Sequence, residues 1–275
     1  VQNICNAFTE FFEERSLKLA EFAEKSYLGK GNTPRLFEGI PLGVKEEFAL
    51  KDSLRTSGSV IFGERIDKYT DVYIDRLLQG GSIPIFKTTT PEFCLLGTTW
   101  SDLHGVTTNP WNNKYTPGGS SGGSGVALAT GACTIASGSD IGGSIRIPAA
   151  ACGVFGYKPP YGRNPEVPYG NLDYYSHSGP MARSVDDIIL MQSLTAGLNN
   201  QDIASLPKPS NFDGNFDLKN IKSNIYEISH DEKLNGEDIN FIEEQFNDYM
   251  LSEGYKNLFR FRKFKEFLKV AIAED

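Results

Sequence analysis

Histidine is nearly missing from this chain, and its scarcity removes whole classes of chemistry. His104, His177 and His230 are the only three in 275 residues, each far from the others, and the four cysteines, Cys5, Cys94, Cys133 and Cys152, form no Cys-x-x-Cys pair. Zinc-ligand spacing is therefore lacking, and neither a metal nor any other cofactor is expected. A lone histidine serves as general base only when a partner orients it. Here His104 lies in a polar loop, His177 in "YYSHSG" and His230 in a charged stretch. A histidine-driven nucleophile is disfavoured. The unpaired cysteines fit a reducing compartment, so a cytoplasmic location is expected.

Long hydrophobic runs are missing too. None approaches the roughly 18 residues that span a bilayer. The opening "VQNICNAFTEFFEERSLKLAEF" sets apolar residues at helical spacing among charges and reads as a surface helix, not a signal peptide. Positive charge is in deficit: 27 Lys and Arg face 35 Asp and Glu, and the only basic cluster is "RFRKFK" at Arg260–Lys265. That balance argues against nucleic acid as a partner of this chain by itself. What is present, 39% hydrophobic residues with 12 Tyr and 18 Phe, is the composition of a globular protein with a sizeable core. A single domain over 1–275 is expected.

Strand and helix signals alternate along the chain. "GIPLGVKEEFAL" is a short β-prone run delivering Lys45 to its end, "TDVYIDRLLQGG" a capped helix, and "SIPIFKTTT" a second strand. "PEFCLLGTT" reads as a short helix and "WSDLHGVTTNPWNNKYTP" as a polar loop. Beyond the glycine-rich stretch, "VALATG" is a small-residue helix, "CTIASGSD" and "VFGYK" are strands, and "RSVDDIILMQSLTAG" is a helix with a serine N-cap. The tail reads as strand ("IKSNIYEI"), amphipathic helix ("GEDINFIEEQFNDYMLSEG"), strand ("NLFRFRKF") and a last helix without a stop signal. The chain is accordingly expected to be incomplete at its C-terminus.

The stretch "GGSSGGSG" at Gly118–Gly125 has the composition of a flexible linker. Its surroundings do not. A second glycine–serine turn, Ile141–Ser144, follows after one helix–strand unit, and such small residues let backbones approach closely and expose N–H groups toward an anionic oxygen. Familiar glycine patterns fail here. A nucleophile elbow needs a preceding buried strand, whereas "NPWNNKYTP" is polar; a phosphate loop needs Gly-Lys-Ser/Thr; and neither turn carries Ser-x-x-Lys. There remains a serine whose base lies elsewhere. Lys45 is the better candidate, because a dry cleft disfavours an ammonium and lets a lysine act as a neutral base.

In order, "GIPLGVKEEF", "PGGSSGGSG", "GSDIGGSIRIPAAACGVFGYKP" and "HSGPMARSVDD" resemble the core of the amidase signature family, over roughly Gly39 to Gln201. The resemblance implies an α/β fold, three-layer α/β/α around a central mixed β-sheet. It implies Ser144 as nucleophile, Ser120 as bridging serine on a cis peptide after Gly119, and Lys45 as base. The N–H groups of Ile141, Gly142, Gly143 and Ser144 would form the oxyanion hole, with Ser121, Asp140 and Arg146 as structural supports. Leu95 and Trp100 are candidates for an apolar acyl pocket, against a plain core reading. The activity implied is cleavage of a linear, non-peptide carboxylic amide through an acyl-enzyme, with a small-molecule amide as partner. Acyl transfer to an amine, or a glutamine-dependent amidotransferase subunit, is the alternative, and a non-enzymatic binding module comes last. A homodimer is left open.

Overall fold

Strand β2 (Pro41–Lys45) organises the sheet. In "PLGVK", Leu42 and Val44 alternate with Gly43 and Lys45, so the two sets face opposite ways. The computed structural model, which describes residues 1–166 and 170–208, places this strand at Pro41–Lys45. From it the chain passes through α3 (Val72–Gln79) to β3 (Ile83–Thr88), parallel to β2 on one side. It then passes through α4 (Gly122–Ala129) to β6 (Ile135–Asp140), parallel to β2 on the other. Right-handed crossovers stepping in opposite directions put their helices on opposite faces.

Two cores result. On one face Tyr73, Ile74 and Leu77 of α3, with Ile188 and Met191 of α6 (Val185–Thr195), cover Leu42, Val44, Ile135 and Ala182. On the other, Val126, Ala127 and Leu128 of α4 and Ala149 and Cys152 of α5 (Arg146–Cys152) cover Phe8, Phe86, Ala136 and Met181. Burying each large aliphatic side chain contributes about 1.5–3 kcal/mol. The strands β1 (Phe8–Phe11), β7 (Phe155–Gly156) and β8 (His177–Ala182) join antiparallel, giving the order β1-β3-β2-β6-β8-β7. The fold is three-layer α/β/α around a mixed sheet.

The N-terminus departs from the single helix expected of it. A four-residue α1 (Gln2–Cys5) stops at Asn6, whose φ is 51°, β1 follows, and only then α2 (Glu13–Tyr27). Packing decides this: the Phe8 ring lies 4.1 Å from that of Phe86, across the ladder with β3. "PEFCLLGTT" holds only a 3-10 turn at Glu92–Cys94, broken by left-handed Phe93 and Cys94. The polar loop after it contains a small hairpin, β4 (Trp100–Ser101) with β5 (Gly105–Val106). Strand β8, "HSGPMA", has no β-branched residue to announce it. Its Pro180 accepts from Tyr157 N–H, so its own nitrogen points the same way, just beyond the end of two-residue β7, where the proline forgoes only the reciprocal bond of the last pair. The tail elements from Ile221 onward lie outside the described residues. No described helix is long and apolar enough to cross a membrane.

The glycine-rich stretch is packed, not slack. A Cβ on Gly123 would sit 2.4 Å from the Thr89 backbone nitrogen, whereas one on Gly142 would meet nothing within 4 Å. Gly123→Ala is therefore expected to cost about 1–3 kcal/mol, and Gly142→Ala close to nothing, in urea unfolding.

Candidate active site

The carboxyl ends of β2 and β6 flank the point where the chain changes direction across the sheet, which is where open α/β sheets take their ligands. Lys45 ends β2 and Asp140 ends β6. Between them comes Ser120, following a cis Gly119–Ser120 peptide and just ahead of α4. Only glycine fits at 119, since a Cβ there would lie 2.6 Å from the Thr98 carbonyl oxygen. Lys45 and Ser120 are both fully buried, and Lys45 Nζ lies 2.7 Å from Ser120 Oγ. The same Nζ meets Ser139 Oγ at 2.8 Å and Glu47 Oε1 at 3.2 Å. Its strand end is pinned by the Lys45 N–H, which donates to Ser137 Oγ (2.8 Å).

Ser144 sits in the turn after β6, 9% exposed. Its carbonyl accepts from Ser121 N–H at 3.1 Å, which ties the two glycine–serine segments together. No hydrogen bond joins Ser144 Oγ to Ser120 among the described residues. Ser121 Oγ lies 3.4 Å from both the N–H and the carbonyl of Ser139, so it braces β6 against the start of α4. Asp140 shapes the turn. It accepts from the Gly143, Ile145 and Arg146 N–H groups at 2.7, 3.1 and 3.3 Å and is gripped by the Arg146 guanidinium at 2.9 Å on each oxygen. Burial raises this carboxyl, but Arg146 and those N–H groups outweigh it and hold it at about 2. The four N–H groups expected to form the oxyanion hole differ in their partners. Gly143 N–H is already given to Asp140, whereas those of Ile141, Gly142 and Ser144 have no protein acceptor among the described residues.

Leu95 and Trp100 do not line an enclosed pocket: they are 79% and 47% exposed. A cavity of about 600 Å³ lies elsewhere, between α2 and α3, lined by Arg15, Phe22 and Leu78 among others. His104 meets Thr56 Oγ1, and His177, buried at the head of β8 and not in a surface loop, meets the Tyr175 carbonyl. Neither bonds a site serine, and His230 lies outside the described residues.

Glu47, Ser137 and Ser139 escaped sequence reading. The signals were faint: a second acid after the strand-end lysine, and two serines two apart on β6. A further buried lysine, Lys87 on β3, donates to the Phe48 carbonyl at 2.7 Å and so secures the turn carrying Glu47. Burial lowers its basicity.

Fold and site together define an α/β/α protein with a lysine–serine pair buried beside two glycine-rich turns. The sequence profile described as Amidase matches residues 1–239. The chain is 36% identical over 239 residues to the glutamyl-tRNA(Gln) amidotransferase A subunit of Brachyspira hyodysenteriae, covering 85% of this chain and 49% of that one. Among solved structures it resembles a bacterial aryl acylamidase of the amidase signature family (TM-score 0.71, 28% identity, 75% of this chain and 43% of the other). It also resembles 6-aminohexanoate cyclic dimer hydrolase (TM-score 0.69, 32% identity, 76% and 43%). The chain belongs to the amidase signature family. It spans about half the length of the curated relative it matches.

Proposed function

We propose that this protein cleaves a carboxylic amide through an acyl-enzyme on Ser144. The observation that carries the reading is the 2.7 Å contact between buried Lys45 Nζ and Ser120 Oγ, beside a turn with unclaimed N–H groups. As a neutral amine, Lys45 takes the Ser120 proton while Ser120 takes that of Ser144, and Ser144 Oγ adds to the amide carbon. The N–H groups of Ile141, Gly142 and Ser144 receive the oxyanion; each such donor is worth about 3 kcal/mol at the transition state. The carbon–nitrogen bond then breaks, the proton returns through Ser120 to the leaving amine, and water or a second amine takes the acyl group. Exposed Leu95 and Trp100 would contact the acyl part. Four free thiols support a reducing, cytoplasmic setting.

Two kinds of amide are favoured by the relatives: an aryl amide, after the aryl acylamidase, and glutamine, after the amidotransferase, for which partner subunits would be needed. The test compares aniline release from an acyl anilide with ammonia release from glutamine, each in wild type and Ser144→Ala. Release that vanishes in Ser144→Ala is expected for one of them. Release that persists would remove Ser144 as nucleophile.

A further inference from the structure

The amine of Lys45 is held by a carboxylate that the lysine–serine–serine scheme does not use. Glu47 reaches back from the turn after β2 so that Oε1 lies 3.2 Å from Lys45 Nζ, while Oε2 accepts from Cys94 Sγ–H at 2.7 Å. Cys94 is itself fixed by Thr90 Oγ1 at 3.0 Å and by its left-handed backbone, φ 60°. With Ser120 and Ser139, Glu47 completes three polar neighbours around Nζ. Both serines are hydrogen-bonded to Nζ, whereas Glu47 Oε1 meets it as an ion pair and has no hydrogen-bond partner among the described residues. A neutral amine has two N–H groups, and turning one of them to the unpartnered Glu47 Oε1 while the other stays on Ser139 leaves its lone pair facing Ser120.

We propose that Glu47, anchored by the Cys94 thiol, is a positioning residue that turns the Lys45 lone pair toward Ser120. The proposal rests on Lys45 acting as the base. Burial opposes ionisation of Glu47, but the lysine and the Cys94 and Ser139 donors outweigh it and keep the carboxyl below its ordinary value. Burial, with Glu47 beside it, pushes the Cys94 thiol up to about 12, so it stays a donor. Asp71, at the head of α3, and Glu166 are the other acids whose charge reaches Glu47; burial raises them to about 6 and about 7. Neither forms an ion pair with Lys45, so Asp71→Asn and Glu166→Gln serve as controls expected to move the profile less.

Removing a carboxylate charge beside a general base shifts the acid side of the rate profile toward lower pH. The readout is the rate at which a fluorophosphonate probe labels Ser144 in the full chain, as a function of pH. In Glu47→Gln the acid limb is expected to move down by about one to three pH units, while Glu47→Asp keeps it near the wild-type position. A residue that merely braced the turn would lower the rate at every pH and leave the limb in place, and that result overturns the proposal. If Glu47→Gln does not fold, Cys94→Ala tests the same link: a displaced limb restored by Cys94→Ser supports it, and an unmoved limb contradicts it. Wild type unlabelled at every pH would instead defeat the base role of Lys45, and this inference with it.

Discussion

Lys45→Met is expected to slow labelling of Ser144 by about 10²–10⁴-fold, the range general-base removal produces. Methionine suits the test because its unbranched stem fills much of the space of the lysine stem while carrying no basic nitrogen. The stem matters, since Lys45 is wholly buried and alanine would add a cavity to the chemical loss. Glu47 is left without its cation and is expected to take up a proton, so some stability goes too. Circular dichroism and urea unfolding separate the effects: a folded Lys45→Met protein that labels at the wild-type rate would remove Lys45 from the mechanism.

Asp140→Ala is expected to damage both stability and chemistry. The carboxylate accepts three backbone N–H groups, and those of Gly143 and Ile145 are buried. Stranding a buried donor costs about 1–3 kcal/mol. The Arg146 side chain is 57% exposed, so its ion pair adds little by itself. Once the turn relaxes, the proposed oxyanion donors, the N–H groups of Ile141, Gly142 and Ser144, are expected to shift with it, and losing even one oxyanion donor costs about 10²–10³ in rate. The pH dependence has a definite sign. Asp140 is depressed to about 2 in the folded protein, against an ordinary 3.8, so its contribution is complete above that ordinary value and is lost as pH falls through 2. The urea midpoint of wild type should drop over that interval more steeply than that of Asp140→Asn. Parallel curves would assign the acid sensitivity to other carboxylates.

Local signals located the elements whose ends are marked. Ser184 caps α6 by accepting from Asp187 N–H, and Gly80 closes α3, both as their sequences suggest. β1 and β8 were not legible, because Phe8–Phe11 looks helical until β3 pairs with it, and "HSGPMA" is a strand only because β6 offers it a ladder. The same division runs through the site. Lys45, Ser120, Asp140 and Ser144 sit in motifs, so their numbers could be read from the text. Glu47, Ser139 and Cys94 acquire meaning only from tertiary placement: β6 beside β2, and a left-handed turn that swings Cys94 onto a carboxylate. The availability of Gly143 could not be judged either, since it depends on where the Asp140 side chain points.

The central claim is that one hydroxyl, at Ser144, is the nucleophile and that Lys45 activates it through Ser120. Intact-mass spectrometry after fluorophosphonate treatment, with peptide mapping, tests it most directly. One adduct is predicted, on the peptide carrying Ser144, absent in Ser144→Ala and strongly slowed in Ser120→Ala and Lys45→Met. An adduct mapped to any other residue, or a folded wild-type protein that takes up no probe, would contradict the account.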